Sequence, residues 1–320
     1  MHILITGAGG MLGRKLAAAL VQGDPAVRLT LADVAKPPAP AGFAGPVTAL
    51  AIDIAEPGSA ATLVAGRPDT IFHLAAIVSG EAEADFDKGY AINLDASRAL
   101  FEAIRAQGAT APYCPRLVFA SSTAVFGAPF PERIGDDFAL TPRSSYGTQK
   151  AMTELLLNDY SRRGFIDGIG LRLPTICIRP GLPNRAASGF FSNILREPLA
   201  GKPAILPVRD SLRHWFASPR AAVRFFEHAA RLDTTSLGTR RNLNMPGLSA
   251  TVADEIEALR RVAGQAAVDL IRPEADPAII AIVETWAQDF DAARATALGF
   301  TAESSFDEII RVHLEDEAAG

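Results

Sequence analysis

Apolar residues follow two rhythms along the first half of the chain. Short runs rich in apolar and β-branched residues, HILIT (2–6), RLTLAD (28–33), VTALAID (47–53), TIFHLAA (70–76) and RLVFASS (116–122), predict strands. The stretches between them carry apolar positions at the 3.6-residue spacing of helices. Strand and helix in alternation predict a doubly wound α/β architecture, a parallel sheet of βαβ units with helices on both faces. LVFASS and IGLRLPTI continue the sheet on either side of a helical segment that starts after Pro142, with Ser144 or Ser145 as N-cap, and stops by Gly164.

The rhythm changes after about residue 175. Prolines and glycines at 180, 181, 183, 189, 198, 201, 203 and 207 interrupt any steady alternation and predict loops and short elements. Further on, HWFAS reads as a strand, and SPRAAVRFFEHAARL as a helix with Ser218 at the N-cap and Pro219 in its first position. RNLNMPG ends in a turn. The expected division is a first domain over 1–174, to which parts of about 214–246 return, and a smaller second region over 175–320. No internal repeat, low-complexity segment or clear linker is visible.

Bulk properties narrow the class. With 320 residues, 48% hydrophobic and 21% charged, the chain can bury a sizeable core and has the composition of a soluble globular protein. Its 31 basic and 36 acidic side chains give a formal charge of −5, and no lysine-arginine run forms a nucleic-acid footprint. Any anionic ligand must therefore be met by a few local donors. Cys114 and Cys177 offer neither a disulfide framework nor a metal-ligand set, and buried free thiols are expected. No metal is expected. The apolar N-terminus is broken by glycines and by Arg14-Lys15, so it reads as structure and not as a signal peptide. No run approaches the roughly 20 apolar residues of a membrane helix, and a cytoplasmic enzyme or binding protein is the default expectation.

Candidate chemistry begins at the first strand. HILIT runs into Gly7-Ala8-Gly9-Gly10-Met11-Leu12-Gly13 and then a helix with Leu12, Leu16 and Leu20 along one side. Glycines at 7, 10 and 13 allow a sharp turn, close approach of bare backbone to a pyrophosphate, and tight helix–strand packing. The helix N-terminus adds unpaired N–H groups and partial positive charge. Such a loop between a strand and a helix marks a Rossmann-type dinucleotide site, with Gly7, Gly10, Met11, Leu12 and Gly13 at the cofactor. Asp33 ends the second strand, 20 residues beyond Gly13, where a carboxylate accepts from adenosine ribose hydroxyls and repels a 2′-phosphate, favouring NAD over NADP. Arg14 could meet such a phosphate, and reads more simply as a solvated helix arginine. Asp53 closes LAID, where a strand-end turn residue is the plainer reading.

In SYGTQKAMTE, Tyr146 and Lys150 stand four positions apart and so share one helix face. Alone, that pair is common on helix surfaces. Together with the glycine loop, "DI" at 53–54, HLAA at 73–76, Asn93 and SSTAVFG at 121–127, it resembles the extended short-chain dehydrogenase/reductases, which include sugar-nucleotide epimerases and dehydratases. The motifs fall in that family's order across nearly the whole chain. The resemblance implies that Asp53 and Ile54 flank the adenine, that Leu74, Ala75 and Ala76 pass under the cofactor, and that Asn93 orders its surroundings, with Pro174 a further cofactor contact. It also implies that Tyr146 exchanges a proton with the substrate hydroxyl, that Lys150 lowers the tyrosine's pKa from about 10 and holds the nicotinamide ribose, and that Ser122 orients the substrate oxygen. Ser121 is the nearby alternative to Ser122. Phe126 departs from the family, where many members have tyrosine.

For the substrate, RLPTICIRPGLPNRAASGFFSNILREPL and RHWFASPRAAVRFFEHAARL resemble a branch of the family that oxidises a four-carbon sugar acid at C2 with NAD. Its carboxylate needs a cationic partner, ideally a bidentate arginine. Arg213 is the candidate, because it falls where epimerases place an arginine against the nucleotide phosphate; Arg179 and Arg185 remain open. Ser79, Thr123 and Ser188 join Ser122 and Tyr146 as expected substrate contacts. His214 and His73 read as strand histidines satisfied locally. Phe190 and Phe191, after Gly189, are either core or a wall that keeps water from the hydride path, and the wall is favoured. The Tyr146 helix offers apolar surface for a homodimer.

Overall fold

The computed structural model describes residues 1–24, 26–181 and 187–318. Seven strands form the main sheet: β1 (His2–Thr6), β2 (Arg28–Asp33), β3 (Val47–Ala51), β4 (Thr70–His73), β5 (Arg116–Ser122), β6 (Asp167–Leu173) and, late in the chain, Asn242–Asn244. The last is β10, because β7 (Thr175–Ile176), β8 (Ala204–Leu206) and β9 (Arg213–Ala217) precede it; β11 (Leu248–Thr251) and β12 (Ile271–Pro273) follow. The spatial order is β10-β6-β5-β4-β1-β2-β3, and the pairs from β3 across to β5 are parallel. This is a Rossmann-like α/β sheet.

Its strands are apolar along their length because helices cover both faces. Ile3, Leu4 and Ile5 are all 1% exposed or less. On one side Leu4, Ile71, Leu117 and Phe119 pack with Leu100, Phe101 and Ile104 of the helix Ala96–Thr110 and with Leu157 of the helix Ser145–Arg162. The chain runs outward through β2 and β3, then returns to place β4 on the other flank of β1. That reversal of direction puts the loops after β1 and β4 together at the carboxyl end of the sheet, where ligands of such sheets bind.

The chain divides into two compact units, residues 1–125, 142–172 and 223–243 in one and 126–141, 173–222 and 244–320 in the other. The later stretch grouped with the first unit is 223–243, within the 214–246 range expected to return, and β9 lies in the second unit. Arg213–Ala217 pairs with β11 and β7 in a three-stranded sheet of the second unit, because Leu248–Thr251 runs antiparallel along it. Segment 126–141 joins the second unit through an Ile134–Phe290 bridge and the bond from Asn244 N to Asp136.

Three local expectations are corrected. Residues 189–199 form a helix whose buried positions 190, 191, 194, 195 and 198 follow helical spacing; Pro198 sits in its last turn, where it interrupts little. Phe190 and Phe191 are 5% and 0% exposed in the core of the second unit, packed with Ile194, Leu195 and Phe216, so they are core and not a wall. Cys114 is exposed, on the irregular segment after the helix Ala96–Thr110, while Cys177 is buried.

Candidate active site

In the first unit the glycine loop is shaped by collisions that side chains would cause. Gly7 has φ +75°, and a β-carbon on it would stand 2.7 Å from the Ala75 nitrogen. On Gly13 a β-carbon would overlap the Gly7 carbonyl oxygen. Helix α1 (Met11–Gly23) begins at Gly10 with no side chain capping it, so the N–H groups of its first turn remain available to an anion. One contact had no signal in the sequence: Asp33 Oδ2 accepts from Gly9 N–H at 2.8 Å, and its Oδ1 from Val34 N–H at 2.7 Å. The strand-end carboxylate thus braces the loop beside which it stands.

After β4, Leu74 N–H donates to the Thr6 carbonyl at 3.1 Å, which ties Leu74–Ala76 to the end of β1. Asn93 lies in a π-helical turn, Tyr90–Asp95, and grips Ile77: Oδ1 accepts from its N–H at 2.9 Å and Nδ2 donates to its carbonyl at 3.3 Å. Asp53 is exposed; its carboxylate accepts from Ala55 N–H and its carbonyl from Ser59 Oγ, a turn role. Ile54 packs against the core of this unit. Ser79 opens the short helix Ser79–Ala84, and Arg14 is exposed on α1.

Ser122 ends β5 and Thr123 opens the 3-10 turn Thr123–Val125. The helix Ser145–Arg162 starts with Ser144 as N-cap, its Oγ accepting from Gly147 N–H at 3.1 Å. Gly147 lets the helix start press on that turn, since a β-carbon there would overlap the Ala124 carbonyl. One helical turn then carries Tyr146 and Lys150. Lys150 is 2% exposed; its Nζ donates to the Ala120 carbonyl at 2.8 Å and lies 5.6 Å from the centre of the Tyr146 ring. Burial pushes the ammonium down to about 7, and Glu154 works the other way. Ser121 Oγ donates to Glu154 Oε1 at 2.6 Å, and Glu154 forms a buried ion pair with Arg172 at 2.8 Å. Ser121 is therefore occupied by the core, and Ser122, half-exposed, is the serine left on the side of the turn.

His73 bonds Thr6 Oγ1 through Nδ1 and Ser97 Oγ through Nε2, and burial lowers it to about 3. It is a neutral structural residue.

In the second unit Arg179 and Ser188 come together: Nη2 of Arg179 donates to Ser188 Oγ at 3.2 Å and Nε to the Ile176 carbonyl at 3.0 Å. Arg213 is exposed and donates from Nη1 to the Ser249 carbonyl at 3.1 Å. Arg185 lies outside the described residues. Pro174 is buried between β6 and β7. His214 bonds Thr175 Oγ1 at 2.6 Å, stacks on Phe191, and is lowered to about 4 by burial. Phe126 packs its ring against Phe138 and Phe290. Among the described residues no three or more His, Cys, Asp or Glu side chains gather as a metal site, and no helix is long and apolar enough to cross a membrane.

Comparison with known proteins finds that the profile of the NAD dependent epimerase/dehydratase family matches residues 3–218. A protein of Cupriavidus necator named D-erythronate dehydrogenase is 49% identical over 99% of this chain and 98% of its own. Its namesake in Haemophilus influenzae is 45% identical over 98% of this chain and 99% of its own. Among solved structures, the one described as the nucleoside-diphosphate-sugar epimerase from Agrobacterium tumefaciens is 64% identical, with a TM-score of 0.97 over 100% of this chain and 95% of that one.

Proposed function

The chain belongs to the NAD dependent epimerase/dehydratase family and is an NAD-dependent oxidoreductase, and from that premise we propose that it oxidises a sugar acid at its C2 hydroxyl, D-erythronate to 2-oxo-D-erythronate. The residues present fit the cofactor. Gly7 and Gly13 allow a tight loop that β-carbons would force apart by striking backbone, the first turn of α1 would offer its N–H groups to the pyrophosphate, and Asp33, bonded to Gly9 N–H, would meet the ribose hydroxyls.

The observation that carries the chemistry is the buried Lys150. An ammonium out of water is costly unless an opposite charge answers it. Its neighbour Tyr146, with its ring centre 5.6 Å from Nζ, would provide one as a phenolate. Tyr146 then takes the proton of the C2 hydroxyl while Ser122 Oγ holds the same oxygen as it becomes a ketone. The C2 hydrogen leaves as hydride, for which NAD, when bound, supplies the acceptor. Asp53, Ile54, Leu74, Ala75, Ala76, Asn93 and Pro174 are the remaining cofactor contacts of this reading. Ser79, Thr123, Ser188 and an arginine, Arg213 or Arg179, meet the sugar acid. The first unit is the cofactor domain and the second mainly the substrate region of a cytoplasmic enzyme. Met152 and Leu155, 40% and 61% exposed on the Tyr146 helix, support a homodimer through that helix, which gel filtration tests.

The reading is tested by NADH absorbance with the purified protein, NAD and a panel of four- to six-carbon aldonates and uronic acids. NADH from erythronate, with little from uronates, is the expected result. The name of the 64% identical structure favours a second reading, a sugar-nucleotide epimerase. Interconversion of nucleotide sugars with no net NADH would establish that reading in place of the first.

A further inference from the structure

One side chain between Tyr146 and Lys150 is buried without a role in proton or hydride transfer. Gln149 is 0% exposed, and its Oε1 accepts from Asn93 Nδ2 at 2.7 Å. Its Nε2 has no hydrogen-bond partner among the described residues and lies against Gly89, where a β-carbon would approach it to 2.6 Å. A buried amide with one unpartnered end is an expense that a plain core would avoid with an apolar residue. Its carbonyl end is the engaged one.

Asn93 is the hinge of the arrangement. Its carboxamide holds both main-chain groups of Ile77, so the loop Leu74–Ala76 is fixed at its far end by one side chain. The near end is held by the Thr6 carbonyl. Among the described residues, Gln149 meets that carboxamide from the helix side: the Nδ2 that donates to the Ile77 carbonyl also donates to Gln149 Oε1. Thr153 reinforces the contact, donating to the carbonyls of both Gln149 and Asn93 at 2.9 and 3.3 Å.

We infer that Gln149 is a positioning residue: through Asn93 it holds the Leu74–Ala76 loop in register with Tyr146 and Lys150, so that the floor of the dinucleotide site and the proton-transfer pair are set by one helical turn. The inference rests on the NAD-dependent reading of this site.

The test is NAD binding by calorimetry to the full chain, with no sugar acid present, for the unaltered protein, Gln149→Met and Gln149→Glu. Methionine fills similar space without an acceptor, whereas glutamate keeps an oxygen facing Asn93. The dissociation constant for NAD should rise about tenfold in Gln149→Met, the loss of one buried hydrogen bond that orients a binding loop, and return to within about twofold in Gln149→Glu. Gln149→Ser, too short to reach Asn93, carries the same expectation as methionine should the latter not fold. Equal NAD affinity in the folded methionine or serine variant and the unaltered chain overturns the inference. So does a loss that glutamate fails to restore, which marks a packing role alone. If the unaltered chain itself binds no NAD, the cofactor reading falls and this inference with it, an outcome distinct from the previous two.

Discussion

Ser121 and Ser122 are consecutive on β5 and serve different neighbours: Ser121 Oγ donates to the buried Glu154 at 2.6 Å, and Ser122 Oγ accepts from Ala124 N–H at 3.1 Å. Alternation along a strand sends them to opposite sides. Ser122→Ala should lower kcat by about 10² to 10³ with little change in stability, as for loss of a donor to a developing oxyanion. Ser121→Ala should leave kcat within about threefold but cost on the order of 1–2 kcal/mol, because Glu154 loses a buried partner. Initial rates and urea unfolding of both variants check this, and the opposite ranking would reassign the catalytic serine.

Tyr146→Phe removes only the phenol oxygen. Activity should fall by roughly 10³ or more while calorimetry shows NAD bound within about twofold of the unaltered protein. Lys150→Met should be equally inactive yet more stable at neutral pH, because it relieves a buried ammonium. The sign follows from linkage. The folded lysine loses its proton near 7 and the unfolded one near 10.5, so between those values the unfolded state binds more protons. Over that window the stability of the unaltered protein rises with pH relative to Lys150→Met.

Gly13→Ala forces a β-carbon onto the Gly7 carbonyl, which is backbone and cannot swing aside. The loop must open, at a cost of about 1–3 kcal/mol. The thermal shift on adding NAD should disappear even where the variant still folds.

Asp33 braces Gly9 N–H and, on the proposed reading, accepts from the ribose hydroxyls as well. Asp33→Ala should therefore weaken NAD binding by about tenfold or more, beyond the ribose contact alone, and narrow the preference over NADP. Parallel titrations with the two cofactors measure both effects. Asp33→Asn, which keeps an acceptor for Gly9, should lose less NAD affinity.

His73 and His214 are held neutral by burial, with folded values of about 3 and 4 against 6.5 when exposed. Their pKa values are depressed bases, so the unfolded state takes up protons first as pH falls below 6.5. At pH 5 each should cost about 2 kcal/mol relative to pH 7. Denaturant unfolding at the two pH values should show this loss, reduced in a folded His73→Gln or His214→Gln variant.

What the chain determines alone is local. Alternating periods mark the βαβ units because side-chain direction repeats every 2.0 or 3.6 residues whatever the rest of the chain does. Gly7, Gly10 and Gly13 announce a dinucleotide loop because their requirement is a backbone conformation, and Ser144 announces the helix start that places Tyr146 because capping reaches only three residues. The preference for Ser122 over Ser121 comes from the family pattern, and the bond that engages Ser121 with Glu154 is a tertiary contact no local pattern gives. β9 reads correctly as a strand, but its sheet was decided by Leu248–Thr251 pairing from over thirty residues away. Phe190 and Phe191 became core, Cys114 became surface, and Gln149 found Asn93 56 positions earlier. Those outcomes depend on which distant segments share space, a choice made by the packing of whole helices and strands that no local periodicity encodes.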